Sequence, residues 1–268
     1  MQLLDIFGIA KPAIGMLHIP ALPGSPRNSL GLDAIAARVL ADAEALDAGG
    51  IDGLIIENFG DVPFYPNHVP PHTVAFMTRL ALEVKRRFNL PLGVNVLRND
   101  GCAALAVAAA VGARFIRVNI YTGARLTDQG VIQGTAHEIL RYRKLLGCDV
   151  KVFADVDVKH SAPLAARKLE EDVADVVSRG CADAVIVTGS ATGSPTSVED
   201  LRVAREAAGS APAIAASGVD LGNAAAVLQV ADGLIVGTSF KCDNVTTNPV
   251  DTGRVRALME EVRKARAE

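Results

Sequence analysis

The sequence contains no tryptophan, and aromatic residues account for only 4% of its 268 positions. Alanine and the aliphatic residues therefore supply most of the hydrophobic content, which is 50% of the chain. This composition is typical of parallel strands that are buried on both faces beneath helices. The length suits one barrel, so we expect a single domain that spans residues 1–268.

The four cysteines, Cys102, Cys148, Cys181 and Cys242, are scattered and form no C-x-x-C pair. Their spacing argues against a cysteine metal cluster and against a disulfide framework, and it indicates a reducing compartment. Residues 1–12 lack the charged region and the cleavage site of a secretion signal. We therefore expect a cytoplasmic protein.

No broad basic surface is indicated, because the net charge is -3 and the basic residues cluster only in the short run 85–87. This charge balance argues against a nucleic-acid partner. The longest apolar stretch, 103–113, is far too short to cross a bilayer. We expect no membrane insertion, and peripheral association with a membrane stays open.

Strand-like and helical patterns alternate along the chain, which predicts a parallel sheet with crossover helices. Eight runs have the length and composition of strands: 13–18, 53–58, 92–97, 114–119, 150–157, 183–188, 213–217 and 233–238. Helical stretches include 32–47, 74–88, 135–146, 164–178, 198–207 and 254–267. The pattern predicts an α/β fold that consists of a single (β/α)8 TIM barrel. A doubly wound open sheet is the alternative, but no G-x-G-x-x-G turn follows the first strand.

Loop lengths indicate which end of the barrel carries the site. Connections that enter strands are short, whereas several that leave strands are long: 19–31, 59–71, 120–134 and 189–196. In a barrel, long loops of this kind gather at the carboxyl ends of the strands, where barrel proteins build their sites. We therefore expect the site at that end.

Two turns near the end of the sequence suggest a phosphate site. The run 213–216 ends in Ser217 and Gly218, and the run 233–236 ends in Gly237, Thr238 and Ser239. Glycine-bearing turns expose backbone N–H groups that bind anions, and the loops after the last two strands of a barrel often hold phosphate. We predict that these five residues bind phosphate. The alternative is that the glycines only make tight turns.

Polar residues on the predicted strands form a second candidate cluster. Side chains alternate along a strand, so their parity separates the barrel interior from the helix-facing side. The residues that point inward at one end are Glu57, Asn95, Arg117, Asn119, Asp155 and Asp157, with His18 at the end of the first strand. Buried charges without partners are costly, so this cluster must form ion pairs, bind a metal or bind a polar ligand.

Two interpretations of this cluster stay open. In the first, Arg117 bridges Glu57 and Asp155 in a structural ion-pair network. In the second, Asp155 and Asp157, together with Glu57 or His18, transfer protons in catalysis. Glu57, Asp155 and Asp157 also offer the hard oxygen ligands that suit Mg²⁺, so magnesium is a possible cofactor.

Other residues complete the candidate site. Those predicted to orient a substrate are Asn95, Arg117, Asn119 and Lys159. His160 is a further acid–base candidate, and Lys241 is a candidate point charge beside a phosphate. Asn99 and Asp100 precede an alanine-rich helical stretch, and capping of that helix is their favoured role.

Four blocks of the sequence are more specific than these general patterns. They are KPAIGMLHIPALPGSPR (11–27), GGIDGLIIENFGDVPF (49–64), GVNVLRNDGCAALAVAAAVGARFIRVN (93–119) and the segment from SGVD (217–220) to GLIVGTSFK (233–241). Together they resemble the BtpA family along nearly the whole chain. The resemblance implies a TIM barrel of the phosphate-binding type. The family includes a cyanobacterial factor implicated in photosystem I biogenesis, and it has members in bacteria and archaea that lack a photosystem.

Two functional hypotheses follow. The first is an enzyme that acts on a small phosphorylated ligand, either a sugar phosphate or a nucleotide derivative, with isomerisation, aldol-type cleavage and glycosidic transfer all open. The second is a non-catalytic biogenesis factor for a membrane complex such as photosystem I, which the resemblance alone supports. We also expect a homo-oligomer, although no sequence feature fixes the number of subunits.

Overall fold

The computed structural model describes residues 2–156, 158, 160–189 and 197–267. Its strands are β1 (Ala13–His18), β2 (Gly53–Glu57), β3 (Leu92–Asn95), β4 (Phe115–Val118), β5 (Ala124–Thr127), β6 (Gly130–Gln133), β7 (Lys151–Val156), β8 (Ser161–Pro163), β9 (Ala184–Thr188), β10 (Ala213–Ala216) and β11 (Gly233–Val236). Its α-helices are α1 (Leu4–Phe7), α2 (Leu32–Ala48), α3 (Pro71–Arg87), α4 (Gly101–Val111), α5 (Ala136–Leu145), α6 (Leu169–Ala174), α7 (Val198–Ala207), α8 (Ala224–Leu228) and α9 (Thr252–Ala267).

Eight parallel strands close into a barrel in the order β1, β11, β10, β9, β7, β4, β3 and β2, and β2 pairs back with β1. Helices alternate with these strands along the chain. The predicted (β/α)8 barrel is therefore confirmed, and each predicted strand overlaps one strand of the barrel. The predicted runs 92–97 and 233–238 extend two residues too far, because strand pairing stops where the chain turns into the site loops.

The inward and outward faces follow the predicted alternation. In β7, Val152 and Ala154 pack in the large cluster beneath the helices, whereas Phe153 belongs to the cluster inside the barrel. Phe153 stacks on Phe115 of β4 with ring centroids 4.5 Å apart and an interplanar angle of 17°. Gly93 of β3 makes room for this pair, because a Cβ atom there would lie 2.2 Å from the Phe115 ring. These rings fill the barrel below the polar residues.

Helix α1, which the sequence patterns did not predict, covers the amino-terminal end of the barrel. Leu3 and Ile6 join the interior cluster, and the Phe7 ring lies 5.8 Å from the Phe115 ring, centroid to centroid. A four-residue helix gives no detectable periodicity, which is why its sequence carried no signal. With this end filled, the polar cavity opens at the carboxyl ends of the strands.

A small antiparallel sheet, formed by β6, β5 and β8 in that order, was also missed. It occupies the segment 120–134, which the sequence predicted as a loop, and part of the segment after β7. Its strands have only three or four residues, and their mixed polar composition hides the alternation that marks a strand. The predicted helix 164–178 is shorter than expected, because α6 begins at Leu169 and continues as a π-helix over Asp175–Arg179.

Candidate active site

A cavity of about 1200 Å³ opens at the carboxyl ends of the barrel strands. Its lining combines ends of strands on opposite sides of the barrel with the first turn of α9. The predicted site residues that line it are His18, Glu57, Arg117, Asn119, Ser217, Gly218, Gly237, Thr238 and Ser239. The structure therefore brings residues of both predicted clusters together in a single cavity.

The two predicted phosphate turns lie side by side, since β10 and β11 are neighbours in the barrel. Ser217 and Gly218 both have left-handed backbone conformations, with φ of 74° and 65°. The Ser239 hydroxyl donates to the Val219 carbonyl at 2.8 Å and joins the second turn to the first. We call these two turns, residues 217–218 and 237–239, the cradle. Glycine-bearing turns can expose N–H groups that bind anions, and phosphate binding by these five residues stays a prediction.

His18 connects the cradle to the acid–base residues. A Cβ atom on Gly237 would lie 2.9 Å from His18 Cε1, so the absence of a side chain at Gly237 allows the imidazole to approach the cradle backbone. On its other side the imidazole packs at a tilt against Phe59, with centroids 4.8 Å apart. His18 and Glu57 are register partners on β1 and β2, which places their Cα atoms about 4.8 Å apart.

Arg117 and Asp155 form a buried ion pair deep in the cavity. The guanidinium donates from Nε and Nη2 to the two Asp155 oxygens, each at 2.9 Å. The two side chains are only 6% and 0% exposed. Burial alone disfavours the charge on Arg117, but Asp155 and then Glu57 outweigh this effect and raise the pKa of the guanidinium. The predicted network had Arg117 bridging Glu57 and Asp155, and this geometry shows the contact with Asp155.

Two asparagines complete the surroundings of Asp155. Asn119 Nδ2 donates to Asp155 Oδ2 at 3.0 Å, and Asn95 Nδ2 donates to Asn119 Oδ1 at 3.1 Å and to the Arg117 carbonyl at 2.9 Å. Arg117 and Asn119 line the cavity, whereas Asn95 and Asp155 do not. The contacts of Asp155 therefore favour a role in positioning Arg117 over the predicted role in proton transfer.

Two arginines of the cavity were missed by the sequence predictions. Arg98, just after β3, is only 6% exposed and lines the cavity. Burial lowers the pKa of Arg98, although the carboxylates of Asp155, Asp128 and Glu57 act in the opposite direction. Arg254, in the first turn of α9, donates from Nη1 to Asn244 Oδ1 at 2.8 Å and to the Ser239 carbonyl at 3.4 Å.

The signal for each missed arginine was present but weak. Arg98 sits in the LRNDG segment, whose Asn99 and Asp100 carry the stronger signal of a helix cap. Asp100 does cap α4, because its Oδ1 accepts from the Ala103 N–H at 2.9 Å, and that prediction is confirmed. Arg254 opens the last helix, and the helix after the final barrel strand starts close to the cradle.

Two predicted site residues, Asp157 and Lys159, lie outside the described residues. Within the described part of the chain, no group of three His, Cys, Asp or Glu side chains is placed to hold a metal ion. The Mg²⁺ prediction includes Asp157 and stays a prediction. His160 does line the cavity.

Lys241, in contrast, is buried in an ion pair with Asp42. Asp42 also accepts from the Val250 N–H at 2.8 Å. The charge of Lys241 therefore stabilises the fold and does not face a ligand in the cavity.

A BtpA family model matches residues 9–264. The chain belongs to the BtpA family. One BtpA relative, the photosystem I biogenesis protein BtpA of Synechocystis sp., is 45% identical and aligns over 97% of this chain and 91% of its own. A protein from Thermococcus kodakarensis is also 45% identical, over 96% of this chain and 97% of its own.

Solved structures with low sequence identity share the barrel fold of this chain. Thiamine phosphate pyrophosphorylase from Pyrococcus furiosus superposes with a TM-score of 0.58 at 14% identity, covering 95% of this chain and 96% of its own. At that identity the likeness supports the barrel fold alone. Across the described residues, none of the helices has the length and apolar character that crossing a membrane requires.

Asp61 ties together two of the loops around the cavity and gives the fold a testable pH dependence. Its carboxylate accepts from the Leu22 N–H at 2.8 Å and from Asn58 Nδ2 at 3.2 Å. Burial raises the pKa of Asp61 above 3.8, although these hydrogen bonds and His72 act in the opposite direction. Because the pKa of Asp61 is higher in the folded state than in the unfolded state, Asp61 contributes fully to the free energy of unfolding below about pH 3.8. That contribution is lost as the pH rises through the folded-state pKa.

We therefore expect wild type to lose stability relative to Asp61→Asn as the pH rises from about 3.5 to 6.5. Urea unfolding of both proteins across that range measures the difference. Asp149→Asn is the matched control with the opposite sign, because the Lys151 hydrogen bond lowers the pKa of Asp149. Parallel stability curves for wild type and Asp61→Asn would contradict the prediction.

Proposed function

We propose that this protein is an enzyme that acts on a small phosphorylated metabolite, a sugar phosphate or a nucleotide derivative, by acid–base chemistry. One observation carries the proposal: the cradle and the His18–Glu57 pair line the same cavity, with His18 packed against the Gly237 backbone. A phosphate in the cradle would hold the adjoining carbons within reach of both side chains. Such positioning supplies much of the effect of enzymes on small substrates.

The cradle is the proposed phosphate site. Backbone N–H groups of the two turns and the hydroxyls of Ser217 and Thr238 are suitable donors to phosphate oxygens. Arg254 adds a cation, since its guanidinium lines the cavity and contacts the Ser239 carbonyl. A guanidinium matches phosphate geometry and keeps its charge at all working pH values.

His18 and Glu57 are the proposed acid–base pair. Histidine transfers protons readily near neutral pH, and a neighbouring carboxylate can take up or return the proton of the second step. Asp155 is the proposed positioning residue for Arg117, and Asn119 helps to hold the substrate beside it. This assignment serves isomerisation, aldol-type cleavage or glycosidic transfer, because each of these reactions removes a proton from one atom and delivers a proton to another. A Mg²⁺ ion at Glu57 would add electrostatic stabilisation of oxygen anions.

The comparisons support the proposal in general terms. A barrel neighbour in structure, thiamine phosphate pyrophosphorylase, has a phosphorylated compound in its name. The relative from Thermococcus kodakarensis is as similar to this chain as the Synechocystis relative, so the shared sequence is not confined to cyanobacteria. A metabolic reaction is a role that such different organisms can share. With it we propose a cytoplasmic location and a homo-oligomeric state.

A thermal-shift panel of phosphosugars, nucleotides and inorganic phosphate, each with and without Mg²⁺, tests the proposal. A ligand at about 100 times its Kd adds about 2.7 kcal/mol, which raises Tm by roughly 5–10 °C in a domain approaching this size. We expect such a rise for one phosphorylated class, and we expect its loss in Gly237→Asp, which places a carboxylate in the cradle.

Gly31→Asp is the matched control, because it adds the same charge at an exposed glycine that has no atom within 4 Å of a built Cβ. The Gly31→Asp protein should show the same ligand-induced rise in Tm as wild type. The proposal fails if no phosphorylated class raises Tm, or if Gly237→Asp responds like wild type. A rise that requires Mg²⁺ would support the proposed metal.

A second candidate function rests on the name of the Synechocystis relative, photosystem I biogenesis protein BtpA. In this alternative the protein is a non-catalytic biogenesis factor for a membrane complex of the photosystem I type, and it associates with the membrane surface. Cell fractionation separates the two candidates. Salt-resistant recovery of the native protein with membranes would favour the biogenesis factor, and recovery entirely in the soluble fraction would count against it.

A further inference from the structure

Two arginines lie across the barrel from the cradle. In the ring of eight strands, three strands separate β10 from β3 in either direction, and the same is true of β11 and β4. The cradle follows β10 and β11, whereas Arg98 follows β3 and Arg117 lies on β4. Both arginines line the same cavity as the cradle. A ligand that reaches from one side of the mouth to the other would therefore meet a cationic group at its far end.

Arg117 retains capacity to bind a ligand. Its Nε and Nη2 donate to Asp155, which fixes the plane of the guanidinium. Within the described part of the chain, the side-chain hydrogen bonds of Arg117 run from Nε and Nη2 to Asp155, and the side chain forms part of the cavity wall. A guanidinium that is already held in place binds an anion with little loss of side-chain entropy.

Arg98 adds charge to the same wall. It is only 6% exposed and lines the cavity, so a ligand there would meet its charge away from bulk solvent. Arg98 lines the cavity together with Arg117, and a cation in a site of low dielectric constant attracts an anionic ligand strongly. Paired guanidinium groups are suited to the planar, two-oxygen edge of a carboxylate or a phosphate.

We propose that the substrate carries a second anionic group, a carboxylate or a second phosphate, which Arg98 and Arg117 bind opposite the cradle. The inference rests on the proposed function, because it assumes that the cradle holds the first phosphate. The inference also places His18 and Glu57 between the two ends of the substrate. Along the shorter path around the barrel from β11 to β3, the strands are β1 and β2, which carry His18 and Glu57. The reacting carbons therefore lie between two anchored ends.

Matched ligands that differ in one anionic group test the inference. Isothermal titration calorimetry would compare fructose 6-phosphate with fructose 1,6-bisphosphate, glucitol 6-phosphate with 6-phosphogluconate, and ribulose 5-phosphate with ribulose 1,5-bisphosphate. In wild type we expect the doubly anionic member of at least one pair to bind about 10-fold or more tightly than its partner. The pair that responds distinguishes a carboxylate from a second phosphate.

Arg98→Gln should reduce that ratio of Kd values to below about 3-fold, since a neutral side chain cannot replace a charge-assisted hydrogen bond. Arg98→Lys keeps the charge without the fork and should give an intermediate ratio, which preserves the test if Arg98→Gln fails to fold. Arg254→Gln is the matched control. It removes a cation beside the cradle and should weaken both members of a pair while leaving their ratio unchanged.

Two results would overturn the inference and leave the proposed function intact. One is equal affinity for both members of every pair that binds. The other is an Arg98→Gln protein that keeps the wild-type ratio. If no phosphorylated compound binds at all, the proposed function itself fails, so the two failures are distinguishable.

Discussion

Asp155→Asn is expected to lower the free energy of unfolding by about 3–5 kcal/mol, because it leaves the buried charge of Arg117 without its partner. In wild type, the Asp155 carboxylate accepts from Arg117 Nε and Nη2 and from Asn119 Nδ2. An amide has nearly the same shape but turns one acceptor into a donor that faces other donors. The substitution therefore tests charge and hydrogen bonding without creating a cavity. Urea unfolding at neutral pH measures the change.

Asp149→Asn is the matched control for this prediction. Asp149 pairs with Lys151 Nζ at 2.5 Å, but its side chain is 88% exposed. We expect that substitution to cost less than about 1 kcal/mol, as is usual for exposed ion pairs. An equal effect of the two substitutions would contradict the assignment of Asp155 to a buried ion pair.

A double variant separates the ion pair from the general cost of changing the cavity. Arg117→Met combined with Asp155→Asn removes the unpartnered charge, so the loss should be smaller than the sum of the two single losses by about 1 kcal/mol or more. Additive effects would show that the two residues contribute independently.

The second large effect is expected at Gly93. A Cβ atom there would lie 2.2, 2.3 and 2.7 Å from three atoms of the Phe115 ring. The ring is fully buried and stacked on Phe153, so it has little room to move. Gly93→Ala should therefore lower the free energy of unfolding by about 1–3 kcal/mol or more, as overpacking of a core does.

Phe115→Leu provides the rescue for Gly93→Ala. The smaller side chain removes the ring atoms that the new methyl group would meet, so the double variant should be more stable than the sum of the single effects predicts. Gly31→Ala is the control for the intrinsic effect of glycine replacement, because a Cβ atom there meets nothing within 4 Å. A Gly93→Ala protein as stable as Gly31→Ala would show that the barrel interior adjusts more easily than its packing suggests.

The alternation of side chains explains why much of the site could be predicted from the sequence. Period-two parity correctly placed Glu57 and Arg117 toward the barrel interior and Val152 toward the helices. Parity gives the face of a strand but not the depth of a side chain. For that reason it grouped Asp155 with the cavity residues, although Arg117 and Asn119 separate Asp155 from the cavity.

Residues outside regular strands were harder to predict. Arg98 follows the end of β3, where the backbone no longer alternates, and its N–H donates to the Tyr65 carbonyl of a loop that is distant in sequence at 3.0 Å. Lys241 is two residues beyond the cradle, yet the short helical turn over Thr238–Phe240 directs it to Asp42 on α2. Such contacts join residues that are far apart in the chain, and no local pattern reports them.

The pairing of β1 with β11 has a consequence for how the molecule is made. The first and last barrel strands in the chain close the barrel against each other, so a growing chain exposes the edges of β1 and β10 until β11 is available. Open strand edges invite association with other chains. Half of the cradle also follows β11. A fragment that ends before this strand should therefore be an aggregation-prone species that lacks the second turn of the proposed anion site, and the barrel can close only once β11 has been synthesised.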